Sequence, residues 1–183
     1  MKKSVLIPLA EGFEELEAVT IMDILVRAGA QVTRAGLTSK TVLASKGTQL
    51  VADCMLEDIA KDSFDMIAIP GGLPGADNLM NSQLFNNMLI AHNKTERPIA
   101  AICAAPKILV SNGLARHHVI TCYPGSLADM NTQDTEVTDA KVLESGLIYT
   151  SRGPGTALDF SLFLVEKLFD NETRQRVESG LAG

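Results

Sequence analysis

The residues best suited to chemistry lie between Arg97 and Lys107, around Cys103. An apolar run of strand length opens at Pro98 and ends at the cysteine, and Pro106 stands where prolines favour the first turn of a helix. Small alanines flank the cysteine, as they do in strand-turn-helix elbows, so we predict Cys103 at a sharp bend. Because unpaired N–H groups of the next helix would favour a thiolate, Cys103 is a candidate nucleophile. A buried structural cysteine is the alternative.

Carboxylates cluster at the start of the first predicted helix. On a helical wheel Glu14 falls within the apolar stripe, and Glu15 and Glu17 fall near its two edges. The helix dipole favours acids in a first turn, but it does not explain an acid that points inward. A carboxyl group partly removed from water has a raised pKa and could exchange a proton with a nearby sulfur. The pattern predicts a functional carboxylate here and leaves the choice between Glu14 and Glu17 open.

A glycine pair, Gly71-Gly72, follows the predicted strand that ends at Ile69. Its backbone N–H groups carry no side-chain obstruction, so one of them and the N–H of Ala104 could bind a developing oxyanion. An ordinary tight turn is the alternative. The binding role is favoured only because Cys103 is expected at the same edge of the sheet.

Strand-period and helix-period segments alternate along the chain and would position these residues. Predicted strands cover 4–9, 31–36, 41–44, 48–51, 64–69, 98–102, 119–121, 135–138, 141–143 and 147–151. Predicted helices cover 14–28, 82–92, 106–112, 155–169 and 172–179. This alternation predicts one α/β domain over residues 1–183, with a mostly parallel sheet and helices on both faces. Ligands bind at the carboxyl ends of parallel strands, so Gly71, Gly72, Cys103 and Cys122 are expected at one edge.

Composition argues against several classes of protein. A chain of 183 residues can bury a sizeable core without disulfides or metals. Its three widely spaced cysteines suggest neither a disulfide framework nor a zinc site, and they favour a reducing cytoplasm. No apolar run is long enough to cross a membrane, and the amino-terminal segment is interpreted as a strand rather than a signal peptide. The net charge of −6 and the lack of Trp argue against stable nucleic-acid binding.

Four segments together resemble the ThiJ/PfpI superfamily, and within it the branch of the parkinsonism-linked human protein deglycase and bacterial YajL. In chain order they are Glu11–Glu17, Ile69–Gly72, Ala100–Pro106 and Thr150–Thr156. The resemblance implies a flavodoxin-like α/β fold, a homodimer and an easily oxidised elbow cysteine, matched here by Cys103. It also implies a protonated glutamate bonded to that sulfur, which the motif assigns to Glu17. In that pattern Glu14 lies nearby, and the amides of Gly72 and Ala104 face the substrate oxygen.

The sequence departs from this superfamily at its histidines. Ala104 stands where other branches carry a histidine after the cysteine, and Tyr123 stands where the deglycase branch has a histidine before a proline. His117 and His118 precede their strand, and we interpret them as surface residues. Without a histidine, Glu17 is the best remaining proton carrier.

Two functions of different classes follow from the resemblance. The first is an enzyme, a deglycase or glyoxalase in which Cys103 attacks methylglyoxal or glyoxal, or their adducts with amines and thiols, with Glu17 moving protons. It implies neither a metal nor an organic cofactor. The second is a redox-sensing stress chaperone switched by oxidation of Cys103, and we hypothesise that Cys122 could resolve the oxidised sulfur. Expected partners are small carbonyl compounds or glycated proteins, and a second copy of the chain.

Overall fold

The computed structural model of the protein describes residues 2–182, in which strands and helices alternate. The strands are β1 (Ser4–Leu9), β2 (Gln31–Gly36), β3 (Thr41–Leu43), β4 (Gln49–Val51), β5 (Cys54–Met55), β6 (Met66–Ile69), β7 (Ile99–Ile102), β8 (Val119–Thr121), β9 (Glu136–Thr138), β10 (Val142–Ser145) and β11 (Ile148–Ser151). The α-helices are α1 (Glu15–Ala28), α2 (Gly75–Met80), α3 (Gln83–Asn93), α4 (Pro106–Ser111), α5 (Ala157–Leu168) and α6 (Asn171–Ser179). Short 3₁₀ helices cover Leu56–Ile59 and Pro154–Thr156.

Seven strands form the central sheet in the order β10-β11-β7-β6-β1-β2-β5. All neighbours are parallel except β10, which pairs antiparallel with β11 at one edge. Since β6 and β7 are neighbours, their carboxyl ends bring Gly71 and Cys103 to the same edge of the sheet. This topology is the α/β fold, with helices on both faces, that the sequence pattern predicts.

The core is divided into two layers by the sheet. Along β1 the side chains alternate, so that Val5, Ile7 and Leu9 pack on the face covered by α1 and α5. Leu6 belongs to the cluster on the other face, which α3 and α4 cover. The central strands are buried on both faces, which is why they are nearly continuous apolar runs in the sequence.

Helix α1 brings the acidic segment to the edge of the sheet at which Cys103 lies. Its inner stripe buries Ala18, Ile21 and Leu25 against the sheet and α5. The helix ends at Gly29, whose φ of 97° lies in the left-handed region, as the glycine at this position predicts. Glu17 lies one turn before Ile21 and is therefore carried into the interior.

The structure confirms most predicted elements and corrects several. The hairpin predicted over 41–51 is present as β3 and β4, outside the main sheet. The strand predicted over 141–143 is found at Val142–Ser145, because the antiparallel register with β11 extends the pairing. The sequence pattern missed α2, β5 and the 3₁₀ helix at Leu56–Ile59, all of them short. Strand β8 pairs with β9 in a separate two-stranded sheet.

Candidate active site

Cys103 lies at a sharp bend between β7 and α4, as predicted. Its φ of 64° is in the left-handed region, which costs a non-glycine residue about 1–2 kcal/mol. The bend is held by hydrogen bonds, since the Cys103 N–H donates to the carbonyl of Ser151 at 2.9 Å. The side chain is only 8% exposed, so the elbow presents the sulfur to a confined space.

Glu17 is a fully buried carboxyl group beside this sulfur, at 0% exposure. Its Oε2 accepts a hydrogen bond of 2.7 Å from the N–H of Gly71. Within residues 2–182 its Oε1 has no hydrogen-bond partner. The Cys103 thiol is nevertheless close enough to lower the pKa of the carboxyl group. Burial raises the pKa of Glu17 to about 7, against the lowering effect of the Gly71 hydrogen bond and of the nearby Cys103 thiol.

Gly71 leaves room for the Cys103 side chain and the Glu17 carboxyl group to lie side by side. A Cβ atom at this position would lie 2.7 Å from Cβ of Cys103 and 2.8 Å from Oε2 of Glu17. Its N–H is engaged by Glu17, so the structure gives no support to the expectation that Gly71 binds a substrate oxygen. The residue instead holds the carboxyl group in place.

Burial and the Glu17 carboxylate both disfavour the thiolate form of Cys103. Burial raises its pKa to about 12, and the charge and hydrogen bond of Glu17 add to this effect. The sulfur is buried and α4 has only six residues, so the structure gives little support to a thiolate favoured by the N-terminus of this helix. The amides of Gly72 and Ala104 donate toward the sulfur and lower the pKa of the thiol.

The two acids titrate as a pair, because each changes the pKa of the other. We infer that the pair loses one proton near neutral pH and that the remaining proton can reside on either Glu17 or Cys103. When the carboxyl holds this proton, the repulsion that raises the pKa of the thiol is removed. The two amides then stabilise a thiolate.

A cleft of about 690 Å³ opens over Cys103. It is lined by Glu14, Ser45, Lys46, Gly72, Leu73, Cys103, Ala104, Tyr123, Pro124, Gly125, Ser126 and Pro154. Of the predicted site residues, Cys103, Glu14, Gly72 and Ala104 thus face the cleft. Glu17 does not line it and lies behind the sulfur.

The loop between β3 and β4 forms one wall of this cleft. Ser45 Oγ donates to Glu14 Oε2 at 2.8 Å, and Lys46 Nζ lies 4.0 Å from the same oxygen. Sequence reasoning predicted a hairpin turn here and missed its place in the site. No spacing in the sequence signals that this turn folds over the edge of another sheet.

Tyr123 forms the opposite wall. Its N–H donates to the carbonyl of Cys103 at 2.7 Å, and a Cβ atom at Gly153 would lie 3.1 Å from its ring. The side chain is 51% exposed and lines the cleft. Tyr123 therefore lines the cleft at the position where the resemblance implies a histidine.

Other candidate residues lie outside the cleft. Cys122 is buried in the core cluster on the opposite face of the sheet from Cys103, which gives no support to a disulfide between them. His117 is exposed, and His118 contacts Ser145 Oγ through Nδ1 at 3.0 Å. Neither histidine lines the cleft, in agreement with their interpretation as surface residues.

Two negative findings apply to residues 2–182. Nowhere in that range do three or more His, Cys, Asp or Glu side chains come together in a way that could hold a metal ion. None of the helices in that range combines the length and the apolar character needed to span a membrane.

Comparison with known proteins identifies the family. The family model described as "DJ-1/PfpI family" matches residues 3–167. The chain belongs to the DJ-1/PfpI family. Among its DJ-1 relatives, protein dj-1beta of Drosophila melanogaster is 40% identical over 182 residues, 99% of this chain and 97% of that protein. The crystal structure of Drosophila DJ-1beta superposes with a TM-score of 0.95 at 39% identity, covering 100% of this chain and 98% of that chain.

Two further DJ-1 relatives carry names that describe a property. The glutathione-independent glyoxalase DJR-1.2 of Caenorhabditis elegans is 38% identical over 168 residues, 91% of this chain and 89% of that protein. A structure of oxidized DJ-1 from Toxoplasma gondii has a TM-score of 0.92 at 35% identity, covering 98% of both chains. The first name describes an activity of that relative, and the second describes the state of that structure.

Proposed function

We propose that the protein is a cysteine-dependent enzyme of the deglycase or glyoxalase type, acting on methylglyoxal or glyoxal and on their adducts with amines and thiols. The observation that carries this proposal is the buried Glu17 carboxyl beside the thiol of Cys103, at the base of an open cleft. A nucleophile, a proton carrier with a pKa of about 7 and two convergent amides are the groups that such chemistry needs. The glyoxalase name of the nematode relative agrees with it.

With methylglyoxal the reaction begins when the sulfur bonds to the aldehyde carbon. The electron pair of the C=O bond moves to oxygen, which takes the proton held by Glu17. Glu17 then carries the proton of that carbon to the neighbouring ketone carbon, and the proton of the new hydroxyl moves to the ketone oxygen, so that one carbon is oxidised and the other reduced. The result is a thioester of lactate. Water breaks its C–S bond, which releases lactate and restores the thiol, so no external oxidant or reductant is consumed.

An adduct on an amine follows the same route, except that the amine is released. The carbon that carries the amine becomes bonded to sulfur, and the amine leaves with a proton. The cleft is open to solvent and has a volume of about 690 Å³, so an adduct on a protein side chain can enter it. Glu14 and the amides of Gly72 and Ala104 line the route of entry and would contact the substrate.

The test is the formation of lactate from methylglyoxal by the wild type and three variants. Cys103→Ser is expected to lower kcat/KM by about 10³-fold or more, and Glu17→Gln by about 10²-fold. Cys122→Ser is the matched control, since it removes a thiol outside the cleft, and it should retain activity. Full activity in Cys103→Ser, or no lactate from the wild type, would refute the proposal.

The alternative function is a redox-sensing stress chaperone in which oxidation of Cys103 is the switch. It is favoured by the unpartnered Oε1 of Glu17 and by the amides of Gly72 and Ala104, which would bind the oxygens of a sulfinic acid on the sulfur. The readout is suppression of aggregation of a denatured client protein before and after mild peroxide treatment. If Cys103→Ser suppresses aggregation as well as the wild type does after peroxide treatment, oxidation of Cys103 is not the switch.

We also infer that a second copy of the chain is a partner and that the protein is cytoplasmic. Large apolar side chains are exposed on α1 and on the β3–β4 hairpin: Leu16, Val19, Val26, Leu43 and Val51. A stable dimer would remove such side chains from water. All three cysteines are free, which suits a reducing compartment.

A further inference from the structure

A second cavity, of about 410 Å³, lies at the opposite edge of the sheet from Cys103. Phe64 lies just before β6 and Arg97 just before β7, so the cavity opens at the amino ends of these strands. It is lined by Ala60, Lys61, Asp62, Ser63, Phe64, Ile67, Met88, Ala91, His92, Thr95 and Arg97. It shares no lining residue with the catalytic cleft, and its volume is within the range of small-molecule sites.

The floor of this cavity is apolar. Phe64, Ile67 and Met88 line it and belong to the core cluster between the sheet and α3. They are buried, at 7%, 2% and 8% exposure respectively, so the floor is a fixed part of the core. A ligand in this cavity needs an apolar body to cover these side chains.

His92 supplies a hydrogen-bond acceptor in the wall. It is 7% exposed, and its Nε2 lies 3.1 Å from the carbonyl oxygen of Pro98. A carbonyl oxygen can only accept, so Nε2 carries the hydrogen. Burial lowers the pKa of His92 by more than the Pro98 hydrogen bond raises it, and the Arg97 charge lowers it further, so the neutral ring is favoured and its Nδ1 is an acceptor.

The Nδ1 atom of His92 has no hydrogen-bond partner within residues 2–182. Since Nδ1 is not among the fully buried atoms that lack a partner, it is accessible to solvent. His92 lines the cavity, so we take Nδ1 to face it. A ligand that donates a hydrogen bond, through a hydroxyl or an N–H group, satisfies it.

Two cationic side chains complete the lining. Arg97 Nη1 donates to the carbonyl of Phe64 at 2.8 Å, which fixes the guanidinium at the cavity and leaves its other N–H groups for a ligand. Neither Arg97 nor Lys61 forms an ion pair with another residue of the described range. Asp62 is the one acidic lining residue, so the lining itself carries a net positive charge, although Asp65, outside the lining, is near enough to Arg97 for that charge to lower the pKa of Asp65.

We propose that this cavity binds a small α-hydroxy carboxylate with an apolar body. The carboxylate pairs with Arg97 and Lys61, the adjacent hydroxyl donates to Nδ1 of His92, and the apolar part covers the Phe64 floor. The hydroxyl and the carboxylate are close together in such a ligand, as His92 and Arg97 are in the lining, where His92 Nε2 lies 3.1 Å from the carbonyl oxygen of Pro98, the residue next to Arg97. The site does not depend on the reaction at Cys103.

The test uses mandelate, which combines a phenyl group, a hydroxyl and a carboxylate. Titration followed by ¹H–¹⁵N NMR should show saturable shifts of the amides around Ser63, His92 and Arg97, with a Kd on the order of millimolar for so small a ligand. Phenylacetate lacks the hydroxyl and benzyl alcohol lacks the carboxylate, so each should bind at least about fivefold more weakly. No saturable shift in these amides up to about 20 mM mandelate overturns the proposal.

Matched variants separate the cavity from general charge effects. Arg97→Gln should weaken mandelate binding about tenfold or more. Lys94→Gln removes a positive charge from the C-terminal end of α3, outside the lining, and should bind as the wild type does. Ala91→Phe fills the cavity from an exposed position without removing a core side chain, and it should also abolish binding. Equal mandelate binding by Arg97→Gln and Lys94→Gln contradicts the assignment, and so does unchanged binding by Ala91→Phe. Cys103→Ser should bind mandelate as the wild type does.

Discussion

One carboxyl oxygen of Glu17 accepts a hydrogen bond and the other has no hydrogen-bond partner within the described residues, and both are buried. Burial alone favours the neutral acid, whereas the Gly71 amide favours the anion, and burial has the larger effect on the pKa. The carboxyl can therefore both hold and release a proton near pH 7. That property is what the proposed chemistry requires of a single residue.

The raised pKa of Glu17 predicts a pH dependence of stability. The folded state holds a proton that the unfolded state has lost above about pH 4.5, so the contribution of Glu17 is fully present below pH 4.5 and is lost as pH rises to about 7. Relative to Glu17→Gln, the wild type should lose about 1–3 kcal/mol of unfolding free energy across this range, measured by urea denaturation. Glu172→Gln, at an exposed carboxyl, controls for the loss of charge. Parallel curves for the wild type and Glu17→Gln would refute this linkage.

Gly71 is expected to be the least replaceable glycine of the site. Gly71→Ala places a methyl group against Cys103 and Glu17, which should lower the free energy of unfolding by about 1–3 kcal/mol. Because it also separates Cys103 from Glu17, lactate formation should fall about tenfold or more. At Gly155 an added Cβ has no atom within 4 Å, so Gly155→Ala is the matched control, with less than about 0.5 kcal/mol of change. Thermal denaturation and the lactate assay check both variants, and equal behaviour of the two would contradict the steric argument.

The residues of the site were only partly predictable. Small residues around a cysteine after an apolar run are a local signal, so the elbow at Cys103 could be found. Helical periodicity indicated an inward acid but placed Glu14 deeper than Glu17, whereas the structure buries Glu17 completely and leaves Glu14 at the cleft. The pKa of the thiol depends on burial and on a residue 86 positions away, which no local pattern records.

Among the structural elements, α1 determines where the proton carrier lies. Its C-terminus is fixed by Gly29, whose N–H bonds to the carbonyls of Leu25 and Val26. Its inner stripe fixes its rotation against α5, and Glu17 is held in register by that packing.

Gly29→Ala should therefore destabilise the protein by about 1–2 kcal/mol. No atom lies within 4 Å of an added Cβ, so the cost comes only from the φ of 97°. Gly29→Asn should cost less, because asparagine tolerates the left-handed region better. Chemical denaturation gives both values, and an alanine variant as stable as the wild type would mean that another residue ends the helix.

The elements with long, periodic patterns were predictable, and the short ones were not. Strand β1 and helix α1 follow from hydrophobic period alone, and glycine marks the end of the helix. Helix α2 has six residues and follows a turn rich in glycine and proline, so its sequence resembles a loop. Strand β5 has two residues and exists because it pairs with β2, a contact that local sequence does not show.

At the scale of the whole molecule, the exposed apolar side chains of α1 and the β3–β4 hairpin predict self-association. Val19→Glu should shift the protein toward monomer in sedimentation equilibrium, because it places a charge among Leu16, Val26 and their neighbours. Val137→Glu is the matched control, since Val137 is similarly exposed, at 44% against 46%, but lies on β9. A monomeric wild type, or equal effects of the two variants, would refute the dimer.

The central claim, that Glu17 and Cys103 share one proton, is tested most directly by the pH dependence of Cys103 alkylation. The rate of modification by iodoacetamide, followed by mass spectrometry of the Cys103 peptide, should rise in the wild type with an inflection near pH 7, where the pair loses its first proton. In Glu17→Gln that inflection should be absent, because no carboxyl group remains to take the proton of the thiol. The same profile in both proteins would contradict the account.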